Sequence, residues 1–164
     1  MILNNNPIAC LDIDSHVAPN LEDFDATTTA LNSFPCRMFH GNIKSITLSG
    51  STFSMIQCSL SNLTSLVTFK MTSGKLQHIP NLENLQQLKT LDLSKNEIAQ
   101  WASNTSLPSN NTLIELILRE NLIQDLEPEA FKNLYFVEKL DISQNKLTDI
   151  SGFASFQENN NLKQ

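Results

Sequence analysis

Glycine is scarce in this chain. The four among 164 residues, Gly41, Gly50, Gly74 and Gly152, are too scattered to form a phosphate-cradling loop. An excess of positive charge is missing as well. Lys and Arg number 11 against 17 Asp and Glu, for a net charge of -6; this argues against nucleic acid or an anionic membrane as partner, since both attract basic patches. No apolar run approaches the length of a membrane span, so no direct membrane contact is expected within this stretch. There is no C-x-x-C pair, and His16, His40 and His78 are too dispersed for metal-ligand spacing. A G-x-S-x-G nucleophile elbow is also absent. With the carboxylates falling where a solvated face is the default, neither catalysis nor a cofactor nor a metal is expected. What remains is surface.

What the chain has in abundance is leucine, arranged in a recurring pattern. Leu88 to Ile98 reads L-K-T-L-D-L-S-K-N-E-I, apolar at its first, fourth, sixth and eleventh positions and Asn at its ninth. The pattern returns from Leu113 to Ile123 as L-I-E-L-I-L-R-E-N-L-I and from Val137 to Leu147 as V-E-K-L-D-I-S-Q-N-K-L. Positions four and six alternate with polar neighbours, the period of a short strand with one buried face. Leu91 and Leu93, Leu116 and Leu118, and Leu140 and Ile142 are therefore expected to point inward. The ninth-position Asn suits a turn, where its amide can bond backbone groups that the strand ladder no longer satisfies. Weaker copies precede these. Ile43, Ile46, Leu48 and Phe53 fit the apolar positions, as do Leu66, Phe69, Met71 and Leu76, but Ser51 and Gly74 stand where Asn should be. The starts at 43, 66, 88, 113 and 137 are spaced by 23, 22, 25 and 24 residues. A second register keeps the phase: Leu60, Leu82, Leu107 and Phe131 lie six before a start, and Leu63, Leu85 and Leu134 three before.

A period in the low to middle twenties with this consensus marks a leucine-rich repeat solenoid. Over roughly residues 43–164 the chain resembles the leucine-rich repeat family. The run I-Q-D-L-E-P-E-A-F-K-N-L from Ile123 to Leu134 matches the convex half of its 24-residue animal extracellular type, I-x-x-L-x-x-x-A-F-x-x-L. The resemblance implies an α/β-type repeat solenoid: a right-handed superhelix with a concave parallel sheet and an irregular or short-helical convex side. No coil is stable alone, because its neighbours complete its core.

The two ends are less regular. Residues 1–42 are acidic and contain Ile8, Leu11 and Ile13 as a possible strand; they read as an N-terminal cap or as a degenerate first coil with His16 in the Asn position. The first residues lack the charged and apolar regions of a signal peptide. Phe156 stands six residues before Leu162, so a truncated repeat is expected at 162, and the chain reads as a fragment cut inside an array. Cysteines stand at 10, 36 and 58. In a secreted chain Cys10 with Cys36 would make a cap disulfide, leaving Cys58 free. Cys36 and Cys58 are also about one coil apart and could stack on adjacent turns, within disulfide reach. Three buried thiols are the remaining possibility.

Asn62, Asn104 and Asn110 begin glycosylation sequons. With 19 Asn and 29 Ser or Thr, composition alone supplies about three, so placement matters more than number. Asn104 and Asn110 fall in the polar run 102–112, on the convex side of the longest interval, and Trp101 ahead of it reads as a core filler. Strand positions three, five and seven should face outward on the concave sheet. The early coils present hydroxyls there (Ser45, Thr47, Ser49, Thr68, Thr72) around Lys70; the later ones present Thr90, Asp92, Ser94, Glu115, Ile117, Arg119, Lys139, Asp141 and Ser143. An exposed Ile117 ringed by Asp92, Glu115, Arg119 and Asp141 has the make-up of a contact centre, an apolar anchor in a polar rim; an ordinary solvated sheet is the alternative. The resemblance to animal repeats, such as those of Toll-like receptors and secreted insect immune proteins, implies an extracellular or cell-surface recognition module for a protein ligand or co-receptor. A cytoplasmic scaffold or regulatory subunit is the alternative that a missing signal peptide would favour.

Overall fold

A computed structural model of the chain describes residues 1–101, 107–159 and 161–163. Among them are eight short strands: β1 (Asp23–Ala26), β2 (Ser45–Ser49), β3 (Thr68–Thr72), β4 (Thr90–Asp92), β5 (Gln100–Trp101), β6 (Glu115–Ile117), β7 (Asp125–Leu126) and β8 (Lys139–Asp141). Six pair in parallel, in the order β1-β2-β3-β4-β6-β8, and β5 pairs with β7 in a second, two-stranded sheet. Parallel neighbours require the chain to travel round and return between strands, and each round trip is one coil of the solenoid.

Register stacks like on like. Phe24, Ile46, Phe69, Leu91, Leu116 and Leu140 are successive in-register partners at the fourth position. The first five are buried to within 1% exposure, and Leu140 is half-buried. The sixth-position row of Ala26, Leu48, Met71, Leu93 and Leu118 is equally dry. Leu60, Leu82, Phe131, Leu63, Leu85 and Leu134 close the core from the convex side, joined by the half-buried Leu107. Trp101 fills the longest coil: it is 1% exposed, stacks on Phe131 at 6.1 Å and donates its indole N–H to the Ala130 carbonyl at 2.9 Å. The convex side is mostly irregular. Among the described residues its regular pieces are β5, β7 and two 3-10 helices, Ser15–Val17 and Ser151–Glu158, with no α-helix.

The ninth-position asparagines join coil to coil. Asn121 Nδ2 donates to the Leu118 carbonyl of its own coil at 3.0 Å and to the Leu93 carbonyl of the preceding one at 2.9 Å, while its Oδ1 accepts from Ile98 N–H at 3.1 Å. Asn96 and Asn145 repeat the arrangement one coil earlier and one later. Immediately before the ninth position the backbone turns left-handed in every coil: Asn5, Thr28, Gly50, Ser73, Lys95, Glu120 and Gln144 all have φ between 53° and 82°. For a non-glycine residue that conformation costs about 1–2 kcal/mol; in the coils of Lys95, Glu120 and Gln144 the bonds of the asparagine that follows offset the strain.

Residues 1–42, where the sequence leaves a cap and a degenerate coil both open, stack in phase with the rest. Leu21, Phe24, Ala26 and Leu31 take the four apolar positions, and β1 pairs with β2. His16 is not the ninth-position residue. It stands exposed in a 3-10 turn, Ser15–Val17, and the buried Thr29 fills that position, donating its hydroxyl to the Ala26 carbonyl at 2.9 Å. Ahead of β1, Ile2 bridges Asp25, Asn5 carries the left-handed turn, and Asn6 Nδ2 donates to the Leu3 and Asn4 carbonyls as the later asparagines do. At the other end Lys163 N–H donates to the Glu138 carbonyl at 2.8 Å, extending the contact by which Glu138 N–H meets Ile114.

Candidate functional site: the outward face of the strand ribbon

The strands are short and their inward pairs are fixed by the core, so the alternating residues must face away from it. Position five runs Asp25, Thr47, Lys70, Asp92, Ile117, Asp141, each in register with the next. Position three runs Asp23, Ser45, Thr68, Thr90, Glu115, Lys139. The residues expected at positions three and five of the later coils take those places in the strands. The acidic pair Asp23 and Asp25 belongs to it too and escapes the sequence reading, because β1 lies outside the recognisable repeats.

Charge is organised differently along the ribbon. Lys139 Nζ meets Glu115 Oε1 at 2.6 Å, and that hydrogen bond with the carboxylate's charge raises the lysine pKa. Arg119, exposed at the rim, donates from Nε to Glu120 Oε1 and Gln144 Oε1, both at 3.1 Å. The Ser143 hydroxyl, 2.6 Å from Asp141 Oδ1, and the Ser143 N–H hold the Asp141 carboxyl below its ordinary pKa, with Arg119 and Lys139 helping and burial opposing. Lys70, half-buried between Thr47 and Asp92, forms no ion pair within 4.0 Å among the described residues. Beyond the acidic pair of β1, the coils of β2 and β3 thus present hydroxyls around a single cation, and the later ones an interlocked set of opposite charges.

Ile117 differs from expectation. It is half-buried rather than exposed, because its in-register neighbours Asp92 and Asp141 flank its side chain. Ile114, Tyr135 and Phe136, on the flank where the chain enters β6 and β8, are exposed, at 37%, 40% and 55%. Of the pairings the sequence leaves open for the cysteines, the structure has the stacked one: Cys36 is joined to Cys58 rather than to Cys10, with Cα atoms 6.0 Å apart across adjacent coils, and Cys10 is free and exposed. Cys36 and Cys58 occupy the same place in successive coils, so the stacking that aligns the leucines aligns them too. Of the sequons, Asn62 and Asn110 are exposed and Asn104 lies outside the described residues. Among the described residues no group of His, Cys, Asp or Glu has the arrangement of a metal site.

Coils of about two dozen residues, in-register leucine rows and the asparagine ladder define a leucine-rich repeat solenoid, and a leucine rich repeat family model matches residues 111–164. The chain belongs to the leucine-rich repeat family, and animal proteins are among the relatives it resembles. It is 28% identical over 139 residues to the transforming growth factor beta activator LRRC33 of Danio rerio, covering 85% of this chain and 19% of that protein. It is 31% identical over 119 residues to leucine-rich repeat-containing G-protein coupled receptor 5 of Rattus norvegicus, covering 72% of this chain and 13% of the receptor. The chain thus spans less than a fifth of either relative. A solved octameric complex of Latrophilin 3, Unc5D and the leucine-rich repeats of FLRT2 contains a chain that superposes with a TM-score of 0.71 at 24% identity, covering 87% of this chain and 44% of that one.

Proposed function

We propose that this chain is a non-catalytic recognition module of an extracellular or cell-surface protein, and that it binds a protein partner through the outward ribbon around Ile117. The observation that carries the reading is the composition of that patch: a half-buried isoleucine between two carboxylates, with an exposed guanidinium at its rim. A partner that covers it gains an apolar anchor at the centre and charge complementarity at the edge, the anatomy of an interface hot spot. The Cys36–Cys58 bridge supports an oxidising compartment. A relative named as a growth-factor activator, another named as a receptor, and a repeat domain solved with other proteins support protein recognition.

The test is a binding screen of the chain, displayed as a multimer, against a library of animal ectodomains. A partner that uses this face loses about tenfold or more in affinity on Ile117→Ala or Arg119→Glu, and little on the convex change Glu129→Lys. Partners insensitive to both ribbon changes would show that the contact lies elsewhere. Free thiols at Cys36 and Cys58 in protein from its natural source would support the cytoplasmic scaffold instead.

A further inference from the structure

On the flank where the chain enters the strands lies an apolar shelf. Ile114 and Phe136 line a groove of about 280 Å³ together with Lys89, Thr112, Glu138 and Asn161. Backbone bonds from Ile114 N–H to the Lys89 carbonyl and from Glu138 N–H to the Ile114 carbonyl, both 2.8 Å, hold these residues side by side on three successive coils. A single exposed isoleucine is ordinary, but an exposed phenylalanine beside one in a groove is a surface that something usually covers.

The groove carries a pointer to its occupant. Thr112, on its wall, is the third residue of the sequon Asn110-Asn111-Thr112. Asn111 is 2% exposed and turned inward, its Nδ2 donating to the Asn133 carbonyl of the next coil at 2.8 Å and its Oδ1 accepting from Leu113 N–H at 3.3 Å. Asn110, one residue earlier, is exposed. The charges at the edges do not favour an ionic ligand: Lys89 stands on one side, and Glu138, already paired with Lys163, on the other.

We infer that the shelf is covered by an N-linked glycan attached to Asn110, whose first sugars lie against Phe136 and Ile114. The C–H face of a pyranose ring is apolar and packs on an aromatic face, whose quadrupole is negative. The hydroxyls on the ring edge remain free for water, Asn161 and Lys89. Attachment forms a bond from sugar C1 to Asn110 Nδ2, breaks the C1–O bond of an oligosaccharyl diphosphate donor, and releases the diphosphate with the amide proton. The glycan then covers apolar surface and solubilises a flank that would otherwise self-associate.

The inference rests on the extracellular reading, and the experiment separates the two. The full chain is secreted from animal cells and examined by glycopeptide mass spectrometry, and the parent, Asn110→Gln, Phe136→Ser and the double variant are melted. Asn110 is expected to be occupied. Asn110→Gln should lower the Tm by about 2–4 °C, and Phe136→Ser should lower it in the glycosylated parent but add nothing once the glycan is gone. An occupied Asn62 beside a bare Asn110 overturns the shelf's occupant and leaves the extracellular reading standing. So does an occupied Asn110 whose removal leaves the Tm unmoved, or a Phe136→Ser effect of equal size with and without the glycan. Bare asparagines at both sites, with free thiols at Cys36 and Cys58, overturn both.

Discussion

Replacing Asn121 by alanine tests the way the coils are joined. The side chain is 4% exposed and makes three principal bonds, two to carbonyls and one from an N–H. Counted separately, these look like three equal losses, but the carbonyls are shared. Leu93 O also accepts from Asn96 Nδ2 at 3.0 Å, and Leu118 O from Asn145 Nδ2 at 2.9 Å, so each keeps a donor after the change. The Ile98 N–H keeps none, and Ile98 is fully buried. An orphaned buried donor costs about 1–3 kcal/mol, and the two shared bonds add about 1 kcal/mol between them, giving about 2–4 kcal/mol in all. Asn145→Ala should cost less, because that side chain is half-buried and water can reach part of what it leaves behind. Urea denaturation measures the total, and hydrogen exchange localises it: the Ile98 amide should lose protection first. A cost below about 1 kcal/mol, unchanged exchange at Ile98, or a larger loss for Asn145→Ala would refute the reasoning.

Further outcomes follow from other parts of the stack. Reducing the Cys36–Cys58 bridge, which closes a separation of 22 residues, should cost about 3 kcal/mol in urea melts, while Cys10→Ser should leave stability unchanged. The Asp141 carboxyl has a lowered pKa in the folded state, so its contribution is present above about pH 3.9 and fades as pH falls through the lower folded value. Asp141→Asn should flatten that part of the stability-against-pH curve. At Gly152 an added Cβ would come within 2.5 Å of the Leu126 Cβ and 2.9 Å of the Glu127 carbonyl oxygen, so Gly152→Ala should destabilise by about 1–3 kcal/mol and loosen the contact between β7 and the last 3-10 helix.

The stacking was legible in the sequence because a fixed period forces identical residue types into the same place on successive coils. Three strong copies were enough to set the phase. The coil at 21–42 was harder to see, since Ala26 is a small filler for a position held elsewhere by Leu or Met, and Thr29 replaces the marker asparagine. Asn6 was hidden within a polar run that resembles an open loop, although it makes the same two bonds within its own turn as Asn96. In most coils the left-handed residue carried no signal, because Thr28, Ser73, Lys95, Glu120 and Gln144, unlike Asn5 and Gly50, are not types that favour positive φ. On the candidate face, position alone located the side chains, but exposure also depends on the neighbouring coil. Asp92 and Asp141 partly cover Ile117, whereas Phe136, outside the strand pattern, remains uncovered.

The asparagine ladder has a consequence for how such chains change length. Each amide serves the turn behind it as well as its own, so the surfaces meeting at a joint are nearly the same from one joint to the next. A segment added or lost in whole turns would present matching donors and acceptors where the new ends meet. A segment that was any other size would leave polar groups stranded in the interior, so the architecture permits growth and shrinkage in steps of one turn.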